Sequence, residues 1–349
     1  MKINLTVILL VLFHIGWSQT LKIYHLDVGQ GASTFFVSSN ASGTVQKTVL
    51  FDGGLKRAGQ GVFNYIKTTL GITKIDYLVA SHYDSDHIGG LVYIMAQANS
   101  GNITIDSVLD RGTTFAPTTN IYTTYRGLVS GFKYKVITPG HIIDMFNSKA
   151  INLKCVAVNG KVKKKGVGTE NLIASVTSPN ENDLSVAFLA TYGKFQYING
   201  ADIGGKKGSQ PATCDGSYSC NFTDIETSIA TTYFPLSIYS VNHHGSRCSL
   251  NNSWATTSKS VVAVISSGKN GRYKHPRQEV LNTLNASTEL VKYYMTASVN
   301  YYSRTLGTKG ILNPTAGKAV IVEVPAKTGT KPITTQSNFK VNGTNYTYN

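Results

Sequence analysis

The sequence predicts a layered α/β fold built on mixed sheets. Three observations carry that expectation. Short apolar runs of strand length recur along the chain, segments of helical period fall between several of them, and Gly and Asp close many of the strands. With 349 residues, 41% apolar and 15% charged, the chain can bury one large core or two small ones. Beyond residues 7–17 there is no long apolar run, which excludes a channel or a transporter.

In chain order, Lys2 precedes the apolar run Val7–Phe13, and Gly16-Trp17-Ser18 puts small residues at the −3 and −1 positions of a cleavage site. Residues 1–18 therefore read as a signal peptide with Gln19 as the mature start. The expectation is a secreted or periplasmic protein with no stable membrane insertion once the leader is removed. Leu21–Asp27 alternates as a strand, Gly29-Gln30-Gly31 is a turn, and a second strand lies around Ser33–Val37. Thr48–Phe51 is a third strand, ending at Asp52-Gly53-Gly54. A helix covers Gln60–Leu70, Asp76–Ala80 is a buried strand, and a His/Asp loop leads to a helix near His87–Ala98. Later strands fall near 107–109, 134–137, 152–157, 185–191, 194–198, 238–241, 261–265 and 319–324, with a helical pattern around Arg277–Leu284. Lys161–Gly166 reads as an exposed, solvated loop. No fixed-period repeat is visible. Residues 19–325 form one domain on this reading, and 326–349 a short tail or an edge hairpin.

Charge is uneven. The net formal charge is +15, and the 123 residues after Glu226 hold 13 basic and 3 acidic residues. A basic half points to anionic partners, nucleic acid among them, without choosing between these and a plain surface property. The four cysteines, Cys155, Cys214, Cys220 and Cys248, suit an exported chain. Cys214 and Cys220 bracket a short loop and are the expected disulfide. No CxxC occurs, so a zinc ribbon has no support.

The densest chemistry is Ser81-His82-Tyr83-Asp84-Ser85-Asp86-His87-Ile88-Gly89-Gly90. Four imidazole and carboxylate groups occupy six positions directly after a buried strand, a donor set that suits a borderline divalent cation. Asn199-Gly200-Ala201-Asp202 places a carboxylate at another strand end. Val241-Asn242-His243-His244-Gly245-Ser246 follows a further strand, and Gly268-Lys-Asn-Gly-Arg-Tyr-Lys-His275-Pro276 precedes a helix. Together these segments hold five of the eight histidines.

These segments, with Leu26-Asp-Val-Gly-Gln-Gly31, resemble in order the metallo-β-lactamase superfamily, in the branch similar to the soluble hydrolase domain of ComEC-type competence proteins. The resemblance spans about residues 21–325. It implies an αββα sandwich of two mixed sheets flanked by helices, with a metal site at the sheet edges. Carried over by position, His82, Asp84, Asp86, His87, Asp202 and one of His243 and His244, taken as His243, are the metal ligands. Two divalent ions are implied, Zn2+ first and Mn2+ as the harder alternative. His244 and His275 are then the catalytic residues, and Arg272 and Lys274 bind substrate. Asp27 and Asp52 orient loops. Two departures stand out. Asp84 takes a position that is His in most of the superfamily, and the histidine expected before the bridging Asp202 is missing. His141, in a Thr-Pro-Gly-His turn, and Asn182 or Ser185 are the candidates for its place.

The expected function is metal-dependent hydrolysis by an activated hydroxide, with a phosphodiester or nucleic acid as substrate. Two alternatives stay open at this point. One is another exported hydrolase, a choline-phosphate esterase, a lactonase or a β-lactamase; the other is a binding protein with a degraded metal site.

Overall fold

In the computed structural model, which describes residues 19–146, 150–166, 168–213, 216–325 and 338–348, two large sheets pack face to face. The signal-peptide reading lies outside these residues. The first sheet begins with β1 (Thr20–Leu26), β2 (Thr34–Ser39), β3 (Val45–Phe51), β4 (Lys74–Val79), β5 (Thr104–Asp110) and β6 (Lys133–Val136), neighbours in that order. The second takes β7 (Ile142–Asp144), β8 (Ile151–Val158), β9 (Lys161–Lys163), β10 (Thr169–Asn171), β11 (Ala187–Tyr192) and β12 (Phe195–Asn199). A separate hairpin of β13 (Lys207–Thr213) and β14 (Gly216–Asn221) interrupts it. It then resumes with β15 (Ile238–Ser240), β16 (Val262–Ile265), β17 (Lys292–Met295) and β18 (Gly310–Leu312). β19 (Ala319–Val324), β20 (Asn338–Val341) and β21 (Thr344–Thr347) return to the first sheet beside β1.

Each sheet is antiparallel at one end and parallel at the other. β3 through β6 are parallel, as are β12, β15, β16, β17 and β18. Parallel neighbours need crossovers, and helices supply all of them except the irregular segment between β17 and β18. These are α1 (Gly59–Asn64), α2 (Ser85–Asn99) and α3 (Asn120–Val129) on the first sheet, then α4 (Ile225–Tyr233), α5 (Asn252–Thr257) and α6 (Gln278–Ala286) on the second. Strand alternation sorts the apolar residues into three layers. Phe36, Val49, Phe188, Val262 and Val264 meet between the sheets. Phe35, Leu50 and Leu78 turn outward onto Ile66, Leu91 and Tyr125. Ala263 and Ile265 turn outward onto Ile229, Trp254 and Leu281. The order of layers is helix, sheet, sheet, helix, the αββα sandwich.

Three local outcomes differ from the sequence pattern or extend it. The segment from Lys161 begins as strand β9, with Val162 fully buried, because Asn159 (φ 51°) and Gly160 (φ 64°) make the positive-φ turn that joins a two-residue hairpin. Residues 338–347 form a hairpin at the sheet edge, and its Phe339 and Val341 enter the inter-sheet core. The expected Cys214–Cys220 disulfide is corrected: Cys220 pairs with Cys248, 28 positions on, with Cα atoms 5.6 Å apart. Nearness in sequence is not what closes the bond; β14 carries Cys220 to the loop that follows the paired histidines. Cys214 lies outside the described residues, and Cys155 is a buried free thiol. Among the described residues no helix is long and apolar enough to cross a membrane.

Candidate metal centre

The clustered residues leave the carboxyl ends of the parallel strands, where open α/β sheets place their ligands. Ser81 to Asp84 follow β4, and α2 starts at Ser85 with Asp84 as its N-cap residue. The glycines after His87 let this helix start lie against the turn that follows β3. Gly53 N donates to His87 O (2.8 Å) and Gly90 N to Gly54 O (2.8 Å). A Cβ on Gly90 would stand 1.8 Å from Gly53 O, so no larger residue fits there. Ala32 N donates to Asp86 O (3.2 Å), which seats the Gly29–Gly31 turn on the same loop.

Three imidazoles are oriented by the same device. His87 Nδ1 donates to Asp52 Oδ2 at 2.8 Å, and Ser81 Oγ donates to that same oxygen at 2.7 Å. His82 Nδ1 donates to Ser81 Oγ at 2.9 Å, and His244 Nδ1 to the Ser266 carbonyl at 3.0 Å. With each Nδ1–H engaged, every Nε2 is turned inward as a lone-pair donor, the arrangement that supporting residues impose on metal-binding histidines.

Asp202 follows β12, one residue after Ala201 (φ 50°). It stands among these rings, Oδ1 lying 3.3 Å from His87 Nε2 and Oδ2 lying 3.2 Å from His244 Nε2, 3.8 Å from His243 Nε2 and 4.0 Å from His82 Nε2. Asp84 Oδ2 is 3.6 Å from His82 Nε2, and Asp86 Oδ2 is 3.5 Å from His244 Nε2. Donors about 2.1 Å from a tetrahedral ion lie about 3.4 Å from one another, so the spacing fits cation ligation. His82, His87 and Asp202 form one compact donor group, and Asp86, His87 and His244 another. His82 Nε2 is buried with no hydrogen-bond partner, and the Nε2 atoms of His87 and His244 face each other at 3.2 Å. Facing lone pairs at that distance need a cation or a proton between them, and the residues fit the former.

The charges of this cluster act strongly on one another. Burial pushes the Asp202 carboxyl up, but the imidazoles of His244, His87 and His243 outweigh it and hold the group well below the carboxylate range. Burial opposes charge on His87, and Asp202 and Asp52 together raise it well above the usual imidazole value. For His243 burial prevails and lowers it, and His275 is held well below its usual value by burial and then by His243 and His244.

The site opens into a cleft of about 700 Å³. Asp84, Asp86, Asp202, His243, His244, His275 and Arg272 line it, while His82 and His87 are buried behind. The sequence reading took His243 as ligand and His244 as the catalytic partner. In the structure the positions favour the reverse, since His244 is the one in the compact donor group, and His243 lies toward the cleft with its ring 5.3 Å from that of His275. Lys274 is exposed and is not on the cleft wall; its carbonyl accepts from Arg304. Arg247 and Arg277 line the cleft instead, beside Tyr273, which is 50% exposed and stacked on His275 at 5.8 Å. His141 is tied into its turn by Thr138 and Cys155 and does not line the cleft. Residue-by-residue reading missed Arg247, Arg277 and the direct contact of Asp52 with His87. The Asp-Gly-Gly at the end of β3 was the available signal for the last.

Residues 26–141 match the metallo-beta-lactamase superfamily. A curated relative, ComE operon protein 3 of Bacillus subtilis (strain 168), is 22% identical over 323 residues, which cover 88% of this chain and 36% of that protein. The chain thus spans about a third of that relative's length. Among solved structures, a diphosphatase of the PhnP family shares 11% identity at a TM-score of 0.42, covering 87% of this chain and 97% of that one. The metallo-beta-lactamase fold protein YhfI of Bacillus subtilis shares 10% at 0.40, covering 87% and 98%.

Proposed function

We propose, on the premise that this chain belongs to the metallo-β-lactamase superfamily and is a hydrolase of that fold, that it is an exported phosphodiesterase using two divalent cations, with nucleic acid among its substrates. The observation that carries the substrate class is the wall of the cleft. Arg247, Arg272 and Arg277 line the same cavity as the clustered histidines and aspartates, on a chain of net charge +15. Guanidinium groups match phosphate oxygens in geometry and charge.

Asp86, His87 and His244 would hold one cation, His82 and Asp84 the other, with Asp202 between them. Zinc suits the imidazoles and manganese the carboxylates. Such ions supply Lewis acidity toward a phosphoryl oxygen and bring the pKa of water to about 7. The chain's own residues do the rest. Asp52, Ser81 and the Ser266 carbonyl keep the three rings in register. His243 and His275, neutral on the cleft side, would donate N–H hydrogen bonds to a substrate oxygen. Arg272 neutralises charge on the non-bridging oxygens and, with Tyr273, offers a cation and a ring face to a nucleotide. The signal-peptide pattern expected from residues 1–18 and the Cys220–Cys248 disulfide are what support this reading of export to an oxidising compartment.

The test is metal analysis of the mature protein together with hydrolysis of bis-p-nitrophenyl phosphate, single-stranded DNA, a choline-phosphate ester, a lactone and nitrocefin. Chelator-sensitive cleavage of the diester and the DNA is the expected result. Turnover of another substrate alone would reassign the enzyme, and cation binding with no turnover would make it a binding protein.

A further inference from the structure

Resting on the two-cation reading, the donor count is unequal. His87 stands in both compact donor groups, but with Nδ1 on Asp52 its one inward Nε2 serves a single cation; given to the position of Asp86 and His244, it leaves His82 and Asp84 with only the shared Asp202 to help them. We infer that Asn182 supplies the missing donor through its side-chain oxygen, which makes this second position oxygen-rich and selective for a harder cation than its neighbour.

Asn182 stands in the 3-10 turn Glu181–Leu184, which is pinned to the end of β4 at two points. Val186 N donates to Ser81 O at 2.9 Å, and Tyr83 N donates to Glu181 Oε1 at 2.8 Å. These bonds bracket Asn182 on one strand of chain and His82 on the other. Asn182 is 7% exposed, lines the cleft with Asp84 and Asp202, and keeps a buried Oδ1 that has no hydrogen-bond partner. Leaving a buried acceptor unpaired is costly, and a cation at this position removes that cost. The neighbouring acid is not the donor. Arg111 takes both Glu181 oxygens at 2.7–3.0 Å and is itself stacked on Tyr83 at 4.2 Å, so the pair is a buried brace of no net charge. Ser185 also has a buried, unpaired Oγ, but it does not line the cleft.

The two positions then differ in kind. One has His82 with oxygens from Asp84, Asp202 and Asn182; the other has His87 and His244 with oxygens from Asp86 and Asp202. Oxygen donors suit manganese and imidazoles suit zinc. The full mature chain, stripped by chelation and offered Mn2+ and Zn2+ together, should take up one of each, read by elemental analysis and by the Mn2+ paramagnetic resonance spectrum. Asn182→Ala should weaken Mn2+ binding by about tenfold or more and leave zinc content unchanged. Asn182→Asp should keep or tighten Mn2+, and Asn182→His should shift this position toward zinc, two variants that preserve a polar side chain if alanine disturbs the turn. Unchanged Mn2+ affinity and metal preference in all three variants would overturn the role of Asn182 while leaving two cations in place. Uptake of a single cation by the wild-type chain would overturn both this assignment and the reading beneath it.

Discussion

The two halves of the site are built by different means. The first sheet presents His82, Asp84, Asp86 and His87 on one unbroken stretch. It runs from a strand end into a helix, with ordinary backbone angles at the Asp84 N-cap (φ −68°, ψ 147°). The second sheet presents Asp202, His243 and His244 from two separate loops in which Ala201, His243 and His244 all have positive φ, between 49° and 54°. Such conformations cost about 1–3 kcal/mol each and persist only where surrounding structure overrides them. Here the surroundings are Glu226, which accepts from Asn242 Nδ2, Leu250 N and Asn251 N, and the Cys220–Cys248 bond four to five residues beyond the histidines. A short local stretch presents the ligands of the first half, with Asp52 as its distant anchor, whereas the second half needs distant anchors even to hold the backbone that presents its ligands.

The largest effect expected is at the residue that joins the halves. Asp202→Asn should lower activity and metal content by more than the roughly 100-fold that marks the upper end for supporting residues. Retained metal in that variant would dissolve the idea of a shared carboxylate. Next is the disulfide. Replacing Cys220 and Cys248 together should destabilise the protein by about 3–4 kcal/mol, from the loop closed across 28 positions, read as a lower midpoint in denaturant. An unchanged midpoint would remove the disulfide from the list of anchors.

Glu226 sharpens the contrast through pH. Burial raises its carboxyl from 4.5 to about 7, against the pull of its amide donors. The folded chain therefore holds a proton that the unfolded chain releases between about pH 4.5 and 7. Across that window this group's contribution to stability declines with rising pH, by up to roughly 1.4 kcal/mol per unit. Glu226→Gln should flatten that part of the stability profile, and a slope equal to wild type would refute it. Asp52 is the corresponding buried acid of the first half, but it faces an imidazole. Asp52→Asn should cost about 10–100-fold in metal affinity with little change in fold, as measured by metal titration and circular dichroism. The smallest effect expected is Arg272→Ala, a several-fold rise in KM for an oligonucleotide with the salt slope reduced by about 1. An equal rise for a small diester would show that Arg272 does not distinguish long substrates.

Legibility in the sequence follows the same division. The parallel strand β16, Val262-Ala-Val-Ile265, is buried throughout and stands out as a continuous apolar run, while β3 and β4 show one only at their ends, Val49-Leu50-Phe51 and Leu78-Val79. Helix α4, Ile225-Glu-Thr-Ser-Ile-Ala-Thr-Thr-Tyr233, is rich in β-branched and hydroxyl residues and gives a weak helical signal. It forms because Ile225, Ile229 and Tyr233 fall on one side and pack against the second sheet. The hairpin after Val158 was announced by Asn159-Gly160, a turn signal outweighed by the lysines that follow it.

What the sequence determined by itself was everything encoded over short spans: the sandwich of mixed sheets, the donor-dense loop from His82 to His87, and the strand-end positions of Asp202 and the paired histidines. Periodicity and turn chemistry act over a few residues, so they are readable there. Tertiary structure alone decided which of His243 and His244 joins the donor group, which cysteine meets Cys220, and which cations reach the cleft. Each of those outcomes depends on where segments tens to hundreds of residues apart come to rest. His244 is turned inward by the Ser266 carbonyl and Cys220 is carried across by a strand, while Lys274 is left outside the cleft that Arg247 and Arg277 line.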